Sequence, residues 1–250
     1  MAIISVTSNK DKEANMIETC KNYCVLKAFD IDSDMVSKCK KIADSEGVSL
    51  EFKQRNLDCK ITLVNKSTSD IVFQRILDEI LEVLDGNVYA NYDTTLEQCV
   101  IENARDKGAK IAVAESLTGG MICLRLVNVS GSSAVLYEGF VTYDAASKVR
   151  RLHVKLATIE ESGVVSEEVA REMVQGLLQN NEIDLAIATT GCAGPSSDEY
   201  DTPVGLSYIG IGNRYGIDVY DTFYCEDRNE IRKCVTNTAL YLALKNIKEL

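Results

Sequence analysis

"IAVAESLTGG", residues 111–120, is an unbroken apolar run that ends in a carboxylate, two hydroxyls and a pair of glycines. An apolar run without alternation is a strand covered on both faces. The glycines open a helix, "GGMICLRLVNV" (119–129). A strand passing through a tight turn into a helix is the building unit of an α/β sheet, and such sheets bind ligands beyond the carboxyl ends of their strands. Backbone N–H groups at the helix start favour an anion there. Glu115, Ser116 and Thr118 bring side-chain donors and acceptors to that edge. The same residues make an ordinary helix N-cap, so the turn alone leaves both readings open.

Outward from this stretch the pattern recurs. "SAVLYEGFVTYD" (133–144), "DLAIATTG" (184–191) and "VGLSYIGIG" (204–212) read as further buried strands. "SEEVAREMVQGLLQN" (166–180) and the last 23 residues, 228–250, read as helices between and after them. Thr94 or Thr95 caps a helix that runs to about Lys107 and closes at Gly108. Upstream, shorter elements alternate: a strand at 2–6, a helix at 12–23, a strand at 24–29 and a helix at 32–47. Two alternating strands at 49–54 and 59–66 follow as a pair. A helix over 68–86 carries Ile71, Ile76, Ile80, Leu81 and Val83 and ends at Gly86. The change of pattern puts a domain boundary near residue 90.

Composition narrows the class. The chain has 250 residues, 46% hydrophobic and 26% charged, with two prolines and no tryptophan. That is the profile of a folded globular protein. A net charge of −11 repels nucleic-acid backbones, so a nucleic-acid partner is not expected. No apolar run approaches the length of a membrane span and no signal peptide opens the chain, so a cytoplasmic protein without membrane contact is expected. Nine cysteines are scattered without a C-x-x-C pair, which fits reduced, mostly buried thiols and neither a metal site nor a disulfide framework.

Four places carry candidate chemistry. "TTGCAGP" (189–195) repeats the hydroxyl-and-glycine logic of Ser116 at a second strand end, with Thr190 and Gly191 at the edge. "EDRNEIR" (226–232) sets Arg228 at a helix start, where it can fork onto a phosphate or carboxylate or stand in solvent. "SGSSAVLYEGFVTYDAASK" (130–148) has Ser132 and Ser133 at one end of a strand and Lys148 past the other. Lysine can take a serine proton if burial lowers its pKa, but a strand of that length keeps its ends apart unless the chain folds back. Read bottom-up, Lys148 is equally a surface lysine on a turn. His153 has no acidic or hydroxyl cluster beside it and is not cast as a catalyst.

Taken together, "AESLTGG", "GSSAVLYEGFVTYDAASK", "GVVSEEVA", "TTGCAGP" and "TPVG" resemble, in order and spacing, the C-terminal domain of the CinA family. That is its nicotinamide-mononucleotide amidohydrolase module. Residues 25–90 resemble the KH-type middle domain of full-length CinA proteins, without a G-x-x-G loop. The resemblance divides the chain into a vestigial segment (1–24), a KH-type small α/β domain (25–90) and an amidohydrolase domain (91–250). The expected architecture is α/β, a three-layer α/β/α sandwich preceded by the small domain.

The resemblance implies hydrolysis of nicotinamide mononucleotide to nicotinic acid mononucleotide and ammonia, with no cofactor or metal and with a homodimer as the assembly. It implies Ser133 as nucleophile, with Ser132 the lesser choice, Lys148 as base, Tyr143 orienting the pair and Ser116 hydrogen-bonding within the site. Thr118, Gly119, Ser132, Thr190, Gly191 and Arg228 are the implied substrate-binding residues. Four places depart from the family pattern: Leu117 replaces a cysteine, Thr202 a lysine, "SSDEY" (196–200) an acidic-glycine turn and Glu226 a glycine. The last sets a carboxylate near the expected phosphate ligand. A catalytically weak nucleotide-binding or regulatory protein on the same scaffold is the alternative, and an amidase for another small substrate is a third reading.

Overall fold

A computed structural model describes residues 22–250. The strand expected at 2–6 and nearly all of the helix expected at 12–23 lie outside the described residues, as does all but the end of segment 1–24. The described chain divides between Thr95 and Leu96 into two compact units.

In the first unit the order is β1 (Tyr23–Phe29), α1 (Ser33–Asp44), β2 (Val48–Arg55), β3 (Asp58–Asn65), α2 (Asp70–Val83) and β4 (Val88–Ala90). Tyr23, expected to end a helix, instead begins β1. The sheet order β2-β3-β1-β4 with antiparallel neighbours is the ferredoxin-like split βαβ arrangement. The KH-type label rests on the resemblance alone. Period-two alternation turns Cys59, Ile61 and Leu63 of β3 onto the helices, where they meet Cys39 and Ala43 of α1 and Phe73, Ile76 and Ile80 of α2. Asp32 caps α1 by accepting from Met35 N at 2.8 Å. Ile71 does not join the core: it is 83% exposed. At about 100° per residue it lies about 140° from Ile76 and opposite Ile80, and Phe73 takes the inward place.

The second unit runs α3 (Leu96–Asp106), β5 (Ile111–Glu115), α4 (Met121–Val127), a 3-10 turn (Ser132–Ala134), β6 (Leu136–Val141), α5 (Ala145–Leu152), α6 (Leu156–Ser162), α7 (Glu167–Leu177), β7 (Leu185–Gly191), β8 (Leu206–Asn213), β9 (Gly216–Phe223) and α8 (Arg228–Glu249). Its sheet has the order β6-β5-β7-β8-β9. β5 pairs in parallel with β6 and β7, while β8 and β9 continue antiparallel. Alanines of β5 and β7 (112, 114, 186 and 188) let Leu152, Val169, Met173 and Leu177 approach one face closely. α8, with α3 and α4 around it, covers the other. The three-layer α/β/α architecture is therefore present. α8 buries residues on all its sides, as a helix between sheet and helices must. Arg125 of α4 ties three helices together by donating to Glu97 of α3 and Asn237 of α8.

Two expectations are corrected. The 133–144 run is not a strand buried on both faces: it begins as a 3-10 turn and continues as β6, an edge strand with alternating exposure. β9, α5 and α6 were not expected. β9 is an eight-residue edge strand whose apolar residues are interrupted by Asp218 and Asp221, and both helices are of eight residues or fewer, too short for a clear 3.6-residue pattern. The eight cysteines among the described residues form no disulfide with one another. No helix among them is long and apolar enough to cross a membrane.

The contact between α7 and α5 yields a stability test. A Cβ at Gly176 would stand 2.1 Å from Leu152 O. Alanine gains about 1 kcal/mol of helix propensity over glycine, whereas overpacking against backbone costs about 1–3 kcal/mol. Gly176→Ala is therefore expected to lower the urea midpoint, reversing the usual sign of a glycine-to-alanine change in a helix. An unchanged or higher midpoint would contradict the packing.

Candidate active site

The turn that follows β5 is organised by Glu115, which has no solvent exposure. Its carboxylate accepts from Gly120 N at 2.9 Å, Ile122 N at 3.1 Å and Cys123 N at 2.9 Å. It thus caps α4 from the preceding strand and fills the place where a helix start would hold an anion. Gly119 and Gly120, with φ of +61° and +91°, make the sharp reversal this requires. Burial and the neighbouring carboxylate raise the pKa of Cys123. Thr118 is buried and its hydroxyl meets Thr189 Oγ1 at 2.9 Å. Thr118 and Gly119 therefore shape the turn and do not line the cleft, contrary to the substrate-binding expectation.

Ser116 remains at the strand end. Its N–H donates to Thr189 O at 3.0 Å, fixing the residue against β7. Its hydroxyl receives a 2.9 Å hydrogen bond from Lys148 Nζ. Lys148 reaches it from α5, which Asp144 starts by accepting from Ala146 N at 2.8 Å. The helix turns this lysine inward, and its exposure is 0%. Thr142 O at 2.7 Å and Tyr143 O at 3.4 Å complete the shell around the amine. Among the described residues no ion pair is made by Lys148. Burial lowers its pKa to about 8, with Asp144 opposing the shift. A neutral amine has two hydrogens and one lone pair. In that form the two hydrogens serve the two carbonyls and the lone pair faces the Ser116 hydroxyl, which then becomes the donor.

Ser132 and Ser133 are not part of this contact. They sit in the 3-10 turn before β6, where Ile111 N donates to Val135 O and Lys110 Nζ to Ala134 O. That is the start of β5, whereas Ser116 and Lys148 stand beyond its end. Five residues of strand separate the two levels, about 16 Å. The expected fold-back of Lys148 onto Ser133 does not occur. The serine that meets the lysine comes from the neighbouring strand, whose Glu115 is in register with Val141.

A cleft of about 220 Å³ opens above this pair, lined by Ser116, Leu117, Tyr143, Thr190, Gly191 and Arg228, with Val164 and Val165 on one wall. Thr190 lies in it, although its hydroxyl donates to Val164 O at 2.8 Å. Gly191 is dictated by closeness: a Cβ there would fall 2.5 Å from Ser207 Oγ and 2.9 Å from Leu117 Cδ1. Arg228 crosses the mouth, donating to Gly194 O and, at 2.9 Å, to Tyr143 Oη. Tyr143 therefore touches Lys148 through its backbone and Arg228 through its phenol.

Further residues emerge that sequence reasoning did not reach. Asp198 lines the cleft and closes its own loop, accepting from Tyr200 N, Thr202 N and Thr202 Oγ1 at 2.8–3.1 Å. Asp227 caps α8 by accepting from Asn229 N and Glu230 N. Arg232 donates to Leu117 O and Thr118 O; its one signal in the sequence is its place one helical turn after Arg228. Among the described residues no group of three or more His, Cys, Asp or Glu side chains could hold a metal ion.

Glu115→Gln tests the turn. The amide would set a donor against N–H groups that now meet a carboxylate, and each unsatisfied donor costs about 1–3 kcal/mol. Chemical denaturation is expected to show a loss of about that size, and equal stability would show that the cap is dispensable.

A family model described as the CinA C-terminal domain matches residues 93–247. A protein of Caldicellulosiruptor saccharolyticus, named for competence-damage induction, is 37% identical over 203 residues, covering 80% of this chain and 49% of that protein. One of the same name from Alkaliphilus metalliredigens is 36% identical over 229 residues, covering 88% and 56%. The chain thus spans about half the length of these curated relatives. Among solved structures, competence/damage inducible protein CihA from Agrobacterium tumefaciens has 32% identity and a TM-score of 0.58, covering 64% of this chain and 99% of that one. A CinA superfamily protein from Klebsiella pneumoniae has 26% identity and a TM-score of 0.60, covering 62% and 97%.

Proposed function

The chain belongs to the CinA C-terminal domain family, and from that membership and the buried Ser116–Lys148 contact we propose that it is a nicotinamide-nucleotide amidohydrolase. Its reaction is hydrolysis of nicotinamide mononucleotide to nicotinic acid mononucleotide and ammonia. The observation that carries the chemistry is the Lys148 amine, fully buried and 2.9 Å from a cleft-lining hydroxyl. The choice of substrate is supported by the family resemblance and by a cleft with an apolar wall for a flat ring and an arginine at its mouth for an anion.

Ser116 Oγ attacks the carboxamide carbon while neutral Lys148 takes its proton. When the tetrahedral intermediate collapses, the C–N bond breaks and the lysine returns that proton to the departing nitrogen, which leaves as ammonia. Water then adds to the ester, giving its proton to Lys148, and the acid leaves as Ser116 regains its hydrogen. Leu117, Val164 and Val165 flank the ring, and Arg228, held by Tyr143, faces the phosphate. We extend the reading to a cytoplasmic homodimer that needs no cofactor and engages neither nucleic acid nor membrane.

The carboxylates of Glu226 and Asp227 beside Arg228 favour a second reading, a nucleotide-binding or regulatory protein with little turnover. Calorimetric binding of the mononucleotide without ammonia release would select it.

Ammonia release from nicotinamide mononucleotide is expected from the purified protein. Ser116→Ala and Lys148→Ala are each expected to lower kcat by about 10⁴-fold or more, while Ser133→Ala keeps the wild-type rate. Loss of activity in Ser133→Ala with retention in Ser116→Ala would overturn the assignment. Because the base is the neutral amine and its pKa is near 8, kcat/KM should rise about tenfold per pH unit below that value and level off above it. A profile flat from pH 6 to 9 would remove Lys148 from the role of base.

A further inference from the structure

The turn that carries Ser116 is held on its upstream side by the bond from Ser116 N to Thr189 O. On its downstream side Gly119 N donates to Ser116 O at 3.0 Å and Met121 N to Thr118 O at 3.3 Å, while the carbonyls of Leu117 and Thr118 both accept from α8. One side chain meets both. Arg232 donates through Nε to Leu117 O at 2.8 Å and through Nη2 to Thr118 O at 3.1 Å. Its Nη1 rests on Asn229 Oδ1 at 3.4 Å within the same helix. The planar guanidinium lies against Gly119, where even a Cβ would stand 3.0 Å from Nη2. Arg228, four residues earlier, reaches the mouth of the cleft, whereas Arg232 is absent from its lining.

We propose that Arg232 is a positioning residue that locks the 116–118 turn, so that Ser116 Oγ is presented to Lys148 Nζ. A rigid fork with two donors fixes two successive peptide planes, which a single ammonium on a flexible stem does not. Releasing those planes lets the residue before them move, and a displacement of about 1 Å at a reacting group costs on the order of 100-fold in rate. Since Arg232 does not itself line the cleft, the loss falls on kcat and leaves substrate affinity alone. This rests on the reading of Ser116 as nucleophile.

The test uses the full chain and two readouts. The first is ammonia release from nicotinamide mononucleotide, resolved into kcat and KM. The second is phosphonylation of Ser116 by a fluorophosphonate, followed by peptide mass spectrometry. In that reaction the Ser116 O–P bond forms, P–F breaks, fluoride leaves and Lys148 takes the proton. Arg232→Ala is expected to lower both rates about 100-fold with KM unchanged, and millimolar guanidinium is expected to restore them. Arg232→Lys, which keeps the charge and guards against a folding defect in the alanine variant, is expected to remain slow. Wild-type rates in either variant would overturn the proposal, as would a deficit in Arg232→Ala that guanidinium leaves unrelieved. If wild-type protein labels at Ser116 but releases no ammonia, the substrate reading fails, and the labelling rates still decide the role of Arg232. If wild-type Ser116 does not label, both fall.

Discussion

Everything in the second unit is arranged around a cost, the removal of one ammonium group from water. Lys148 has no exposure and, among the described residues, no acidic partner in ion-pairing contact, and three oxygens stand where a carboxylate would neutralise it. Its pKa falls from 10.5 to about 8, a preference for the neutral form of about 3 kcal/mol. Between those two pH values the unfolded chain binds more protons than the folded one, so this group makes the fold more stable as pH rises and less stable as it falls. A protein that only needed to fill space there would use leucine. The lysine persists beside a hydroxyl, and in the proposed mechanism that pairing gives its burial a chemical use.

The neighbouring features serve the same end. Glu115 occupies the helix start and keeps an anion from it, so the positive side chain lining the cleft, among the described residues, is Arg228. Alanines 112, 114, 186 and 188 bring the covering helices close to β5 and β7 and exclude water from the underside of the pair. Gly191 brings β7 and β8 tightly under Leu117. Each of these residues is small or fully bonded, and at the floor the Ser116 hydroxyl and the Lys148 amine are bonded to one another.

Much of this was legible in the chain. Buried strands announce themselves as apolar runs, and the glycine turns after β5 and β7 mark the sheet edge where Ser116 and Thr190 stand. Register was not legible. Ser133 and Lys148 flank one strand in the sequence, and only the family resemblance implies a partnership between them. A strand is stiff, however, and holds its two ends apart, so the partner of a residue beyond one end belongs to the next strand over. That Val141 lies beside Glu115 is a fact of pairing between strands 26 residues apart, carried by no local pattern. The edge position of β6 escaped for a similar reason, since an apolar run does not tell which strand lacks a neighbour. Arg232 was invisible because its acceptors are backbone carbonyls, which every residue possesses.

The bond from Arg232 to Leu117 spans 115 positions of sequence, and it has a consequence for how the protein is made. α8 follows every strand in the chain. During synthesis the sheet residues emerge first, at about 5–20 residues per second, and Ser116 and Lys148 can meet as soon as α5 has formed. The turn between them is not clamped until the final helix arrives and docks. A chain in which α8 has not yet docked therefore holds Ser116 beside Lys148 without the two hydrogen bonds that Arg232 gives the turn.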